Sequence, residues 1–520
     1  MNTYDEPAFE RFCGELVNLG FSPVPNSERG VWTGPIRPIL RPLTDATRMS
    51  IHFPGGWPLK YAQVVVGGLR VEHAANGIIC LWADDDPAQV AGRDINALWA
   101  RLDGWAERAQ TGFLVEDRAL DAYLLYEDIS AYRSELPLGD LLARGGNGFK
   151  TPLHAIKRAQ RAIFIGVGDQ PEKATDKPLL KGAFYLRRDI GVAPRSLTDV
   201  RAALTRRQLA DLEHGLDDRA PVAVTEPSGG YDFVVLAWPR HDQEHDAVVI
   251  GFSSQGDSLA SHAIRATPND TAARKRRAGP DTTLLAEKTV LIAGAGSIGG
   301  HVAVGLAASG VGTLRLHDSD YLATGNLVRH VCPDLYVGYL KTVGVAGVIE
   351  DHAPWTQVSA FSDLVHAQSS LAEQVKDVDL VVDCTGLFSL TAALAHVCHQ
   401  HSVPLITGAL FHQGAIARVR RQVEGDTPIA ARSLDRTYLD LPAEDPTAPD
   451  HGFLELGCLA PINNASPVTV TATAADIVHA SVDYLTGRCN RSDERIIVFQ
   501  PTDAPFDKTG TLDVPLRGAH

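Results

Sequence analysis

Between Thr289 and Lys341 the chain places three glycines, an aspartate, an asparagine, an arginine and a lysine at spacings that suit phosphate chemistry. The apolar run Thr289–Ala293 predicts a buried strand, and Gly294, Gly296 and Gly299 predict a tight turn into an apolar, alanine-rich helix. Such a turn lets backbone N–H groups and a helix N-terminus approach a phosphate. A second apolar run, Thr313–Leu316, leads to Asp318, 19 residues past Gly299, where a carboxylate can hold a ribose hydroxyl. Asn326, Arg329 and Lys341 follow. A dinucleotide site has no need of those groups, but a site that attacks the α-phosphate of a nucleotide does. Asp383 ends a further apolar run, Val378–Val382, and strand C-terminal ends are where open α/β sheets bind ligands.

Each signal has a plainer reading. The glycines alone fit an NAD-dependent oxidoreductase or a purely structural turn. Arg329 or Lys341 alone reads as a solvated charge, and Asp383 alone as a helix cap. The joint spacing carries the weight. The series Asp318, Asn326, Arg329, Lys341 and then Asp383 in VDLVVDCTG resembles the adenylation domain of ubiquitin-activating enzymes and their bacterial relatives ThiF and MoeB. That resemblance implies ATP and Mg²⁺ as cofactors. It assigns Gly294, Gly296 and Gly299 to the nucleotide loop, Asp318 to the ribose, and Arg329 and Lys341 to the phosphates. Asn326 would fix the loop or contact phosphate, and Asp383 would help hold Mg²⁺. Adenylation joins a carboxylate to the α-phosphate and expels pyrophosphate. Both reactants are anions, so cations must neutralise charge at the reacting phosphorus.

A second set of residues lies near the N-terminus. Met49–Phe53 and Tyr61–Val66 read as strands about a Pro/Gly turn, followed by VEHAANGIICLW and a helix near Asp94–Ala109. The pattern resembles the ubiquitin-conjugating fold, with His73, Gly77, Ile79, Cys80 and Leu81 in the places of that family's His-Pro-Asn and G-x-I-C-L motifs. The resemblance implies His73 and a thioester-forming Cys80 as site residues. The chain departs from it at His73-Ala74-Ala75, which lacks the usual asparagine, and in a gap to Cys80 one residue shorter; Asn76 lies close by. The plainer reading of Cys80 is a small core thiol.

The other cysteines differ in expected exposure. Cys384 and Cys398 fall in core patterns, Cys332 in the loop after Arg329, and Cys458 on a Gly/Pro-rich stretch after the long polar segment 424–452. A nucleophile must be partly exposed and able to ionise, so Cys458 is the favoured acceptor of an acyl group from an adenylate. No C-x-x-C pair occurs among the seven cysteines, so the paired zinc ligands of many ThiF and MoeB relatives are not expected.

Length predicts about three domains, and the alternation of strands and helices together with the two resemblances implies an α/β protein made of a conjugating-like α+β domain over 1–135, an α+β linker domain over 136–270, and a doubly wound, Rossmann-like adenylation domain over 271–520. In the linker domain a helix is expected near Leu197–Gly215, and Ser261–Asp281, with its basic Arg274–Arg277, reads as the connection into the last domain. A net charge of −15 argues against general nucleic-acid affinity. No apolar run reaches membrane-spanning length and the N-terminus lacks a signal-peptide pattern, so no membrane partner and a cytoplasmic location are expected.

The domain order looks like the activating–conjugating fusions of CBASS and related anti-phage operons. That likeness implies an acyl relay. The C-terminal tail of a ubiquitin-like protein or of a CD-NTase becomes an acyl-adenylate, passes as a thioester to Cys458 and then Cys80, and reaches a target protein. It also implies a homodimer. The alternatives are a sulfur-carrier adenylyltransferase, which shares the ATP site but has little use for Cys80, and the oxidoreductase.

Overall fold

The computed structural model describes residues 3–514 apart from 26, 28–29, 83–85, 114–121, 146–147, 172–174, 191–192, 224, 242–243, 256–257, 364–367 and 442–463. The chain divides into two units, Met1–Asp270 and Thr271–His520.

The second unit is built on an eight-stranded sheet. Thr289–Ala293 lies inside it, parallel to Thr313–His317 on one side and to Leu380–Asp383 on the other. Gln357–Phe361 extends the first side and Leu405–Phe411 the second, both in parallel. Ile416–Gln422, Glu494–Val498 and Gly510–Val514 complete it in antiparallel register. The central strands are apolar on both faces because helices cover both. Val290, Ile292, Leu314 and Val382 pack with residues of Ser297–Ser309, Lys341–His352 and Pro467–Leu485. Leu291, Ala293, Val381 and Leu405 pack on the other face with Phe388–Gln400. This is the doubly wound α/β arrangement the sequence predicts. The strand order reverses between Thr289–Ala293 and Leu380–Asp383, and such a reversal opens a crevice beyond the strands' C-terminal ends.

The first unit holds two sheets. An antiparallel sheet runs Ser22–Pro23, Val31–Pro35, Arg48–His52, Gln63–Val65, Ile78–Ile79, Ala74–Ala75. Its Met49, Ile51, Val64 and Ile79 share a core with Phe9 and Phe12 of the helix Glu6–Asn18 and with Leu98, Leu102 and Trp105 of the helix Ile95–Thr111. Asp5 and Asp94 cap these helices by accepting from backbone N–H groups of the first turn.

The other sheet is a closed barrel of Leu179–Leu186, Phe233–His241, Glu244–Gln255, Ser258–Pro268, Ile129–Leu136, Ala162–Val167 and Thr151–Ala159. Alternate residues of its strands feed two cores. Val248, Ile250 and Phe252 meet Leu212 and Leu216 of the helix Arg206–Asp217 outside, whereas Val249, Val235 and Ile165 fill the inside.

Two expectations change here. The helix expected over Leu197–Gly215 is two, Leu197–Ala203 and Arg206–Asp217, because Thr205 and Gln208 form a capping box that starts the second. The polar segment beginning at Ser261 is not all linker. Ser258–Pro268 closes the barrel, with Ala263 and Ile264 buried in it.

Candidate functional site

The three glycines of the loop after Thr289–Ala293 do three different things. Gly294 has φ +86°, and a Cβ there would meet the Cys384 and Thr385 backbone at 3.0 Å. A Cβ on Gly299 would lie 1.8 Å from the Gly294 carbonyl oxygen, so this position seats the helix against the loop. A Cβ on Gly296, the helix N-cap, would meet nothing within 4 Å. Neither φ nor packing requires glycine at Gly296. What its missing side chain leaves is open space at a helix N-terminus, where a phosphate can approach backbone N–H groups.

Hydrogen bonds tie this loop to the other expected site residues. The buried Asp318 accepts from the Ala295 N–H at 2.7 Å and from the Asp320 N–H at 2.8 Å. Asp320 in turn receives Lys341 Nζ at 2.7 Å. Lys341 begins its helix, and its side chain is 12% exposed against 70% for Asp320. The Ala295 carbonyl lies 2.8 Å from His330 Nε2, and the Cys332 N–H donates to His330 Nδ1. His330 is therefore a neutral Nε2–H tautomer, and burial lowers its pKa. Arg329 Nη1 donates to the Ala465 carbonyl at 3.3 Å. Asn326 Oδ1 accepts from the Ala323 N–H at 2.9 Å, fixing the short turn that leads to Arg329.

Asp383 ends its strand and is 1% exposed. One oxygen accepts from the Thr385 N–H (3.0 Å) and hydroxyl (2.7 Å), the other from the hydroxyls of Thr391 (2.5 Å) and Thr407 (3.3 Å). Mg²⁺ wants near-octahedral oxygen ligands with open lone pairs. As arranged, this carboxylate does not fit a resident Mg²⁺ ion. Among the described residues no cluster of three or more His, Cys, Asp or Glu side chains could hold a metal. On the same face Arg420 stands opposite Thr407 in the strand register, its pKa lowered to about 10 by burial and then by Arg418.

Three described cysteines of this unit, Cys332, Cys384 and Cys398, do not suit nucleophilic attack. Burial pushes the Cys332 thiol up to about 11 and Cys398 up to about 12, and Cys384 is raised by burial and then by Asp383. Cys458 lies outside the described residues.

In the first unit, Ala74–Ala75 and Ile78–Ile79 form a hairpin. Asn76 (φ 50°) and Gly77 (φ 79°) make its two-residue turn, both with the positive φ that a type I′ turn demands. At the base of the hairpin the Cys80 N–H donates to the His73 carbonyl at 2.8 Å. Cys80 Sγ lies 3.5 Å from the Trp82 carbonyl oxygen, and the His73 ring packs 4.5 Å from Phe113. Cys80 is half-buried. The short gap thus sets His73 opposite Cys80, while Asn76 stands at the tip, three residues or roughly 10 Å along the strand.

Sequence reading missed Asp320, His330 and the three threonines about Asp383. Asp320 carried a signal, the D-x-D with Asp318 ahead of a lysine. The threonines come from separate elements and carried none.

Comparison with known proteins bears on the second unit. Residues 274–496 match the ThiF family. The chain is similar to the protein y4oA of Sinorhizobium fredii, 26% identical over 40% of this chain and 37% of that one. It is also similar to the ATP-dependent ubiquitin transferase-like protein Cap2 of Enterobacter hormaechei, 32% identical over 25% of this chain and 22% of that one. With the Escherichia coli molybdopterin-synthase adenylyltransferase it shares 34% identity over 24% of this chain and 50% of that one. The chain thus spans half or less of the length of each of these relatives. Among solved structures, E. coli MccB with ATP aligns at 18% identity and a TM-score of 0.34, over 47% of this chain and 71% of that one. Among the described residues no helix is long and apolar enough to cross a membrane.

Proposed function

We propose that the second unit activates a carboxylate at the C-terminus of a protein, a ubiquitin-like modifier or a nucleotidyltransferase tail, by joining it to AMP. The observation that carries this reading is the open space at Gly296 together with Lys341 and Arg329, which reach the same loop through Asp320–Asp318–Ala295 and through His330. A carboxylate oxygen attacks the α-phosphorus, the bond to the bridging oxygen of the β-phosphate breaks, and pyrophosphate leaves. Lys341 would leave Asp320 to meet the phosphates, and Arg329 would add a second cation. The match to the ThiF family and the likeness to a molybdopterin-synthase adenylyltransferase support an adenylating site. Mg²⁺ would enter with the nucleotide as its salt, shielding phosphate charge.

The acyl group would then pass to a cysteine thiolate, with AMP as leaving group. Cys458 is our choice for the first acceptor and Cys80 for the second. The half-buried position of Cys80 and the likeness to the ubiquitin transferase-like Cap2 support Cys80 as an acceptor. Transfer of the acyl group to an amine on a target would complete the relay. A sulfur-carrier adenylyltransferase is the second reading, favoured by the likeness to the molybdopterin enzyme.

ATP–pyrophosphate exchange in the presence of a ubiquitin-like protein ending in glycine tests the first step. Lys341→Ala should lower exchange by roughly 10²-fold or more, the usual loss for one charge-stabilising donor; exchange unchanged by Lys341→Ala would overturn the site. Cys458→Ala should keep exchange and lose the dithiothreitol-sensitive adduct. Cys80→Ala should block only the later transfer, whereas a sulfur-carrier enzyme would be indifferent to it.

A further inference from the structure

A cavity of about 330 Å³ in the first unit is lined by three arginines, Arg70, Arg187 and Arg195. Arg195 spends both terminal nitrogens on the carbonyls of Leu69 (3.1 Å) and Val71 (3.4 Å). Arg187 pairs with Asp189. The Nε atoms of Arg187 and Arg195 are nonetheless buried with no hydrogen-bond partner among the described residues. Arg70 is exposed at the rim and makes no ion pair with a described residue. Burial first, and then repulsion from Arg70, holds the Arg195 pKa below its ordinary value, so like charges are gathered here at a cost. The two carboxylates of the lining offset only part of this charge: Asp189 pairs with Arg187, Asp199 accepts from the Arg195 N–H at 3.0 Å and favours its charged form, and three cations still face two anions.

We propose that this cavity binds a phosphate group, free or carried by a small molecule. Guanidinium groups match phosphate oxygens in geometry as well as charge, and an anion here would relieve the repulsion between Arg70 and Arg195. The volume lies at the small end of ligand sites, enough for the anion and a modest substituent against Ile190 and Pro194. The inference is independent of the adenylation reading, since no residue is shared.

Equilibrium dialysis of the full chain against radiolabelled orthophosphate, and separately against phenyl phosphate, tests it. One orthophosphate should bind per chain, both in wild type and in Lys341→Ala, which weakens any phosphate contact in the second unit. Arg70→Glu, an exposed change, should weaken binding by at least about tenfold, and Arg187→Gln should do the same, with the thermal midpoint held as a check on folding. Binding of orthophosphate alone assigns the site to the free ion, and binding of both ligands assigns it to a phosphorylated small molecule. No binding up to about 10 mM of either ligand, or equal binding by Arg70→Glu, Arg187→Gln and wild type, would overturn the proposal.

Discussion

The glycine loop after Thr289–Ala293 and the Cys80 hairpin both depend on residues of positive φ, but they use them in opposite ways. In the loop, Gly294 and Gly299 bring two strand ends and a helix together, and the space gained is left open at Gly296. In the hairpin, Asn76 and Gly77 only reverse the chain, and His73 and Cys80 sit at the other end. A Cβ on Gly77 would lie 2.7 Å from the Val66 carbonyl, so even its second constraint is packing. The glycine cradle thus leaves open space beside a helix N-terminus, whereas a turn next to a cysteine sets only its register.

The largest expected effect breaks the cradle. Gly299→Ala would press a methyl against the Gly294 carbonyl, which is backbone and has no rotamer to escape by. We expect a loss of about 3 kcal/mol or more in the second unit, read by calorimetry. Thiol reactivity comes next. Cys332 rises from an ordinary 9.0 to about 11, so in the fold it holds roughly a hundredth of the usual thiolate. Alkylation at neutral pH should mark Cys80 well before Cys332, Cys384 or Cys398, and unfolding in urea should erase the difference. The sign for stability follows. The raised thiols remain protonated in the fold while the unfolded chain ionises near pH 9, so their contribution is present below that pH and is lost as pH climbs toward 11.

Smaller effects sharpen the contrast. Asn76→Ala should cost about 1 kcal/mol through the turn while leaving the alkylation rate of Cys80 unchanged, because the tip is remote from the thiol. If Asn76→Ala slowed alkylation of Cys80 severalfold, the register described here would be wrong. The mildest change in stability is expected from Gly296→Ala, within about 1 kcal/mol. Its methyl should instead obstruct nucleotide binding, read by titration with MgATP. Equal ATP affinity in Gly296→Ala and wild type would mean that the open space is not where the phosphates go.

Legibility from sequence followed locality. Thr289–Ala293 is readable to the residue because a short apolar run bounded by turn residues has few other meanings. Ser258–Pro268 was not, since its serine, threonine and proline read as linker until the barrel supplies its partners at Glu244–Gln255 and Ile129–Leu136. The same holds within the sites. Gly294, Gly299 and Asp318 announce themselves by spacing, while the hold of Thr391 and Thr407 on Asp383 exists only once a helix and a neighbouring strand arrive. Asn76 was ambiguous in sequence because an asparagine before glycine serves a turn as readily as it serves a reaction; pairing of Ala75 with Ile78 decides for the turn.

The proposed adenylation requires Lys341 to exchange its partner. A crystal structure with a non-hydrolysable ATP analogue tests this most directly. The triphosphate should lie over Gly296, with Lys341 Nζ moved from Asp320 onto a phosphate oxygen and Arg329 turned toward the same group. A ligand bound elsewhere, or one bound at the loop with Lys341 still on Asp320, would contradict it.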